Sequence, residues 1–160
     1  IAMGLHEYFR NSDIFYMANY AQTVNVIGAI KTTQTASAFE TTGLVLKLYR
    51  NQFGSVPVKI GAPANPNLDI SAALTEDKTA LTVAVVNMDA NPKNVLIDLG
   101  EMKAGKEGQA WVIQNADPEA YNTPGEEPKV VIEEQPLDFS QNVIGVPGYS
   151  VKLIKVALVK

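Results

Sequence analysis

At Gly54 the chain changes its hydrophobic period, and a single kind of regular element cannot serve both halves. Before that residue the pattern is helical on either side of one apolar run. In "IAMGLHEYFRNS", Leu5, Tyr8 and Phe9 share a face with Ala2, while Glu7, Arg10 and Asn11 take the other sides, which predicts an amphipathic helix over 1–12. "NSD" at 11–13 is its stop. The start of "IFYMANYAQTVNVIGAI" reads as a buried strand, because a parallel strand covered on both faces is apolar without clean alternation. "KTTQT" at 31–35 is a polar loop. A second helix is expected over 37–54. Ser37 and Glu40 have capping-box spacing, and Phe39, Leu44, Val45, Leu48 and Tyr49 follow at helical intervals. Lys47 and Arg50 lie late, where the helix dipole favours cations, and Gly54 is the stop. Helix, strand, loop, helix is α/β grammar.

After Gly54 the apolar residues come in short runs separated by turn formers. "VPVKIGAPANPNLDI" is Pro-rich and marks a boundary or an edge strand. "LDISAALT" and "TALTVAVVNM", separated by "EDK", predict a hairpin, and "NVLIDLG", "GQAWVIQN" and "KVVIEE" predict further strands. "ADPEAYNTPGEEP" is a long turn-forming loop. In the closing "VPGYSVKLIKVALVK", Val151 and Leu153 share one phase and Ile154, Val156 and Leu158 the other, which implies a bulge or cover on both faces. Six or seven short strands at this spacing predict a mainly β fold, an antiparallel sandwich of jelly-roll type, preceded by the α/β segment.

The 160 residues suit one domain, or a small domain with an appendage, and are too few for a complete eightfold α/β barrel of about 250 residues. Net charge is −4 and the 13 Lys and Arg are scattered, so no basic stripe is present to bind nucleic acid. No run of 18 apolar residues predicts a membrane span. Without Cys there is no disulfide, thiolate metal site or cysteine nucleophile, and a single His rules out a two-histidine metal site; no metal or cofactor is expected. His6, Glu7 and Arg10 make the opening unlike a signal peptide, and the uncapped first helix reads as though cut from something longer.

Few residues suggest chemistry. His6 lacks a nucleophile or metal partner and reads as a surface or packed residue. The 17 Asp and Glu lie mostly in turns, and Glu133 and Glu134, adjacent on a strand, point to opposite faces; a glycosidic acid/base pair needs two carboxyls about 5–10 Å apart. Trp111, Tyr121 and Tyr149 would form a sugar-stacking platform if aligned on one exposed face, although Trp111 between Ala110 and Val112 also suits a core. "MANYAQTVN" places Asn19, Gln22 and Asn25 among apolar neighbours, and a buried amide without partners costs roughly 1–3 kcal/mol. Asn25 suits capping or cross-strand pairing. If 14–21 is a parallel strand of an α/β barrel, Gln22 sits at or just past its C-terminal end, where such barrels place their active sites, and its amide can hold a sugar hydroxyl as donor or acceptor.

The blocks "LHEYFRNSD", "MANYAQTVNVIGAI" and "TTGLVLKLYRNQFG", with the later "AYNTPGEEPKVVIEE" and "VPGYSVKLIKV", resemble in order the C-terminal end of an α-L-arabinofuranosidase of glycoside hydrolase family 51. The resemblance implies a (β/α)8 catalytic barrel followed by a jelly-roll sandwich. Residues 1–54 would be the closing helix, strand and helix of the barrel, and 55–160 the sandwich. It implies retaining hydrolysis of terminal arabinofuranosyl groups from arabinan or arabinoxylan, with Gln22 matching the glutamine that reaches the arabinose and Asn19 a second candidate. The family's acid/base Glu follows an Asn, and its nucleophile lies in an Asp-Glu-Trp-like segment. No Glu here follows Asn, and Trp111 follows Ala110, so the chain by itself is expected to be inactive, with a structural and site-shaping role. The implied partners are an arabinose-containing polysaccharide or oligosaccharide, the remainder of the barrel and, through uncovered apolar faces, a second copy in a homo-oligomer. A periplasmic or extracellular address follows by analogy. A stand-alone carbohydrate-binding sandwich and an assembly module are the competing readings.

Overall fold

The computed structural model describes residues 1–61, 63 and 65–159. The first helix, α1 (Ala2–Arg10), buries Ala2 and His6 and half-buries Leu5 and Phe9. His6 thus belongs to the packed stripe, whereas Tyr8, expected there, is largely exposed. A hairpin of β1 (Ile30–Thr32) and β2 (Ser37–Phe39) follows, then α2 (Thr41–Gln52), which buries Leu44, Val45, Leu48 and Tyr49 as their spacing predicts.

Two expectations in this half are corrected. Residues 14–21 form no strand: among the described residues the nearest ladder contact is an isolated parallel bridge between Val24 and Ile30, and Ile14, Tyr16 and Met17 are exposed. A strand exists only where a partner accepts its backbone groups, and no described strand lies beside this one. The capping box does not form either. Ser37 and Phe39 are taken into β2, so the helix expected over 37–54 starts only at Thr41; its N-cap is Glu40 without a side-chain bond, and the Glu40 N–H donates to Ala29 O instead.

The rest is β structure: β3 (Val56–Val58), β4 (Leu68–Leu74), β5 (Ala80–Asn87), β6 (Lys93–Leu96), β7 (Lys103–Gln114), β8 (Glu133–Asp138), β9 (Val143–Val146) and β10 (Ser150–Val159). Six of these form one antiparallel sheet in the order β3-β4-β5-β10-β7-β8, and β6 and β9 pair as a ribbon. "KVVIEE" starts its strand late, at Glu133, because the backbone of Val130 is bonded to the Asn122 side chain rather than to a neighbouring strand. Glu133 and Glu134 are both exposed on β8, the sheet edge.

Cross-strand register explains the two cores. Val83, Val85, Ile154 and Val156 face the ribbon and meet Phe139, Ile144 and Val146. Ala84, Leu153 and Trp111 lie opposite one another on neighbouring strands and face the helices, meeting Leu44, Leu48 and Tyr49. The two phases of β10 are therefore the two faces of one strand, both covered, and a register shift against β7 also occurs between Val156 and Leu158. The result is a sandwich of sheet and ribbon whose outer face carries a layer of helices.

Gly54 ends α2 for a reason different from a left-handed cap. Phe53, the C-cap, is extended, and a Cβ on Gly54 would stand 2.3 Å from Leu74 O. The Gly54 N–H donates to Thr82 Oγ1 (2.9 Å), so the chain leaves the helix pressed against the sheet. Gly54→Ala is expected to destabilise the fold by about 1–3 kcal/mol, since the obstacle is backbone that moves only with β4. A urea midpoint unchanged by this substitution would contradict the close approach.

Candidate functional site

The helix layer is keyed to the sheet by one polar cluster. His6 is fully buried, with Nε2 2.6 Å from the Tyr49 hydroxyl and Nδ1 3.3 Å from Asp69 Oδ2, a contact too poorly aligned to be a hydrogen bond. Arg10, one turn on, pairs with Asp69 and donates to Ile70 O (2.9 Å), and it also meets Glu7 at 2.6 Å. Burial, reinforced by the Arg10 charge, holds His6 down to about 4 against the pull of Asp69. Burial, with the Asp69 charge, pushes the Tyr49 phenol well above its ordinary value. At neutral pH the imidazole is therefore uncharged and Tyr49 keeps its proton. The cluster ties α1, α2 and β4 together, and its His6 and Tyr49 are shut away from any substrate. The visible signal was the i, i+4 pair His6–Arg10; its partner Asp69, 59 residues from Arg10, is set by the fold.

The predicted ligand residues lie elsewhere. Asn19 and Gln22 are both exposed, on the irregular run between α1 and β1. That run also exposes Ile14, Phe15, Tyr16 (98%), Met17, Val26 (81%) and Ile27. Asn25 does what was expected of it: Oδ1 accepts the Thr32 N–H (2.8 Å) and Nδ2 donates to Thr32 Oγ1 (3.0 Å). Its backbone N–H donates to Ile30 O, and Ile30 N–H to Thr23 O. Asn25 and Val26 have left-handed φ of 57° and 47°, unusual for a β-branched residue and sustained only when the surroundings hold the turn. The surroundings here are the Thr32 bonds, the Lys31 ammonium donating to Val26 O (2.6 Å), and Tyr20, whose hydroxyl donates to Ile27 O (3.0 Å). Gln22 thus precedes a tightly held turn.

Of the clefts beside the helix layer, one of about 780 Å³ is lined by Phe9, Arg10, Pro57, Ile60, Leu68 and Asp69, and another of about 360 Å³ reaches Thr41, Asn115 and Tyr149. Neither is lined by Asn19, Gln22 or Asn25. Trp111 is only 7% exposed, packed under the helices, and is thereby removed from any sugar-stacking platform. Tyr121 is exposed beneath the Lys129 ammonium, 5.5 Å from its ring centre, and Tyr149 sits at a turn with φ 45°. Among the described residues no three His, Asp or Glu side chains converge as metal ligands, and no helix is long and apolar enough to cross a membrane.

Comparison with known families matches residues 1–150 to the α-L-arabinofuranosidase C-terminal domain. Among solved structures the chain is similar to the α-L-arabinofuranosidase of Thermotoga maritima in its arabinose complex, with a TM-score of 0.86 and 26% identity over 98% of this chain and 37% of that one. It is also similar to the thermostable family 51 enzyme of Thermotoga petrophila, with a TM-score of 0.82 and 26% identity over 97% of this chain and 37% of that one. The family 51 enzyme of Bifidobacterium longum, at 24% identity and a TM-score of 0.74 over 97% of this chain and 33% of that one, shares the fold. The chain thus spans about a third of the length of these relatives. No curated protein sequence matches it.

The buried histidine leaves a pH signature. Its folded pKa, about 4, lies below the unfolded 6.5, so the folded state takes up this proton later as pH falls. The stability that depends on neutral His6 is whole above about pH 6.5 and is lost as pH drops toward about 4, on the order of 3 kcal/mol in all. His6→Gln keeps a partner for Tyr49 without titrating. Urea unfolding followed from neutral pH to about pH 4 is expected to show a shallower pH slope for this variant; equal slopes would assign the acid sensitivity elsewhere.

Proposed function

The chain belongs to the family of α-L-arabinofuranosidase C-terminal domains, and on that premise we propose that it is the C-terminal portion of a retaining family 51 α-L-arabinofuranosidase. Residues 1–54 supply the closing helix, strand and helix of a (β/α)8 catalytic barrel, and 55–160 the sandwich that follows it. The substrate is a terminal α-L-arabinofuranosyl group of arabinan or arabinoxylan. The observation that supports this reading is the run of residues 14–27, which bears Gln22 and leaves Ile14, Tyr16, Met17, Val26 and Ile27 largely exposed. Patches of this kind mark surfaces that another body covers. A barrel strand laid beside residues 14–21 would pair the backbone groups that now have no ladder and turn this run into the strand its composition suggests.

In that setting Gln22 lies at the barrel's C-terminal rim, with Asn19 close by in sequence. A carboxamide there both donates to and accepts from a sugar hydroxyl, orienting the ring for attack at its anomeric carbon. Retention requires two carboxyls about 5 Å apart, one forming the glycosyl-enzyme and the other acting first as acid and then as base. Those carboxyls come from the rest of the barrel. The chain's part is to close the barrel, present the amide and anchor both on the sandwich.

Assay with an aryl α-L-arabinofuranoside tests this. The intact gene product is expected to hydrolyse it, Gln22→Ala to lose about 10-fold or more in kcat/KM, and the 160 residues alone to show no turnover. DNA preceding this segment is expected to encode Asn-Glu and Asp-Glu-Trp-like segments. Turnover by the isolated chain at enzymatic rates would overturn the assignment. Light scattering over a concentration series then reads whether residues 14–27 also bring copies together.

A further inference from the structure

The loop between β7 and β8 contains the motif "YNTPGEEP", and one side chain in it reaches across the molecule. Asn122 is buried, with 4% of its surface exposed. Its Oδ1 accepts the Val130 N–H (2.9 Å), and its Nδ2 donates to Val130 O (2.8 Å) and to Phe39 O (3.2 Å). The first two bonds close the loop on itself. The third fastens it to β2, a strand 83 residues away in sequence.

From Phe39 the connections continue without a gap. Phe39 stands opposite Ile30 in the β1–β2 register. Ile30 accepts from the Asn25 N–H (2.8 Å) and donates to Thr23 O (3.0 Å). Thr32, two residues on in β1, takes both bonds of the Asn25 side chain. Thr23 is the neighbour of Gln22. The short hairpin is otherwise a two-stranded ribbon, a structure of marginal stability when nothing braces it. Gly125 in the same loop lies close to Ala36 at the hairpin tip, since a Cβ built on it would come 3.6 Å from the Ala36 Cβ.

We propose that Asn122 is a positioning residue for Gln22. The sandwich holds the substrate-facing amide in register through the hairpin, so this loop belongs functionally to the active-site rim although it touches no sugar. The proposal rests on the reading of Gln22 as a sugar ligand.

A double-mutant cycle in the intact enzyme tests it, with Asn122→Ala, Gln22→Ala and both together, assayed on an aryl α-L-arabinofuranoside. Asn122→Ala is expected to lower kcat/KM about 10-fold with a rise in KM, and to cost less than about 2-fold once Gln22 is already Ala. A merely structural loss would shrink the active fraction at unchanged KM and would multiply with Gln22→Ala; either result overturns the positioning role, as would full activity of folded Asn122→Ala. Full activity of Gln22→Ala would sink the sugar-ligand reading and this role together, whereas multiplicative losses with a defective Gln22→Ala strike the positioning role alone. If Asn122→Ala does not fold, Thr32→Val, which removes one exposed link of the same path, replaces it in the cycle with the same two criteria.

Discussion

A sheet that is apolar on both faces must be covered twice, and the rest of this structure follows from that requirement. Strand β10 sets it. Leu153 on one face and Ile154 and Val156 on the other are buried almost completely, so water has to be excluded from both sides. At about 25 cal/mol per Å² of apolar surface, neither face could be left open without a large part of the stability being lost. The β6–β9 ribbon covers one face. The helices α1 and α2 cover the other, so residues preceding Gly54 complete the core of those following it.

This packing gives the helix layer a fixed orientation. Apolar contact alone is non-directional, and the buried cluster of His6, Tyr49, Asp69 and Arg10 adds direction. With both helices held, the chain between them has little freedom at its ends. The hairpin narrows it further, through the Asn25–Thr32 bonds and the grip of Asn122 on β2. What remains exposed, residues 14–27, is the part that would face the catalytic barrel in an arabinofuranosidase of this family. On the proposed reading, the sandwich is the foundation on which the rim is built.

Much of this was legible in the residues. The short apolar runs of β4, β5 and β7, the helical stripe Leu44–Val45–Leu48–Tyr49 and the turn formers between strands depend on neighbours close in sequence, and they match the observed elements. Asn25 was legible only as an amide in need of local partners; Thr32, seven residues away, supplies them. The start of β8 was not, because it depends on Asn122 competing for the backbone of Val130. The strand expected at 14–21 was read from composition that suits two neighbours, and within these residues no such neighbours lie beside it.

By itself, then, the sequence determined the two helices, most of the strands after Gly54 and the two-faced character of the last strand. Those are properties of local period and polarity. Only the tertiary structure decided that His6 is a buried neutral residue paired across to Tyr49 and near Asp69, that Trp111 is core rather than platform, and that Asn122 in a loop bonds to Phe39 of β2. Each of these rests on groups brought together from 40 or more residues apart, and no local periodicity carries the information about which distant partner will arrive.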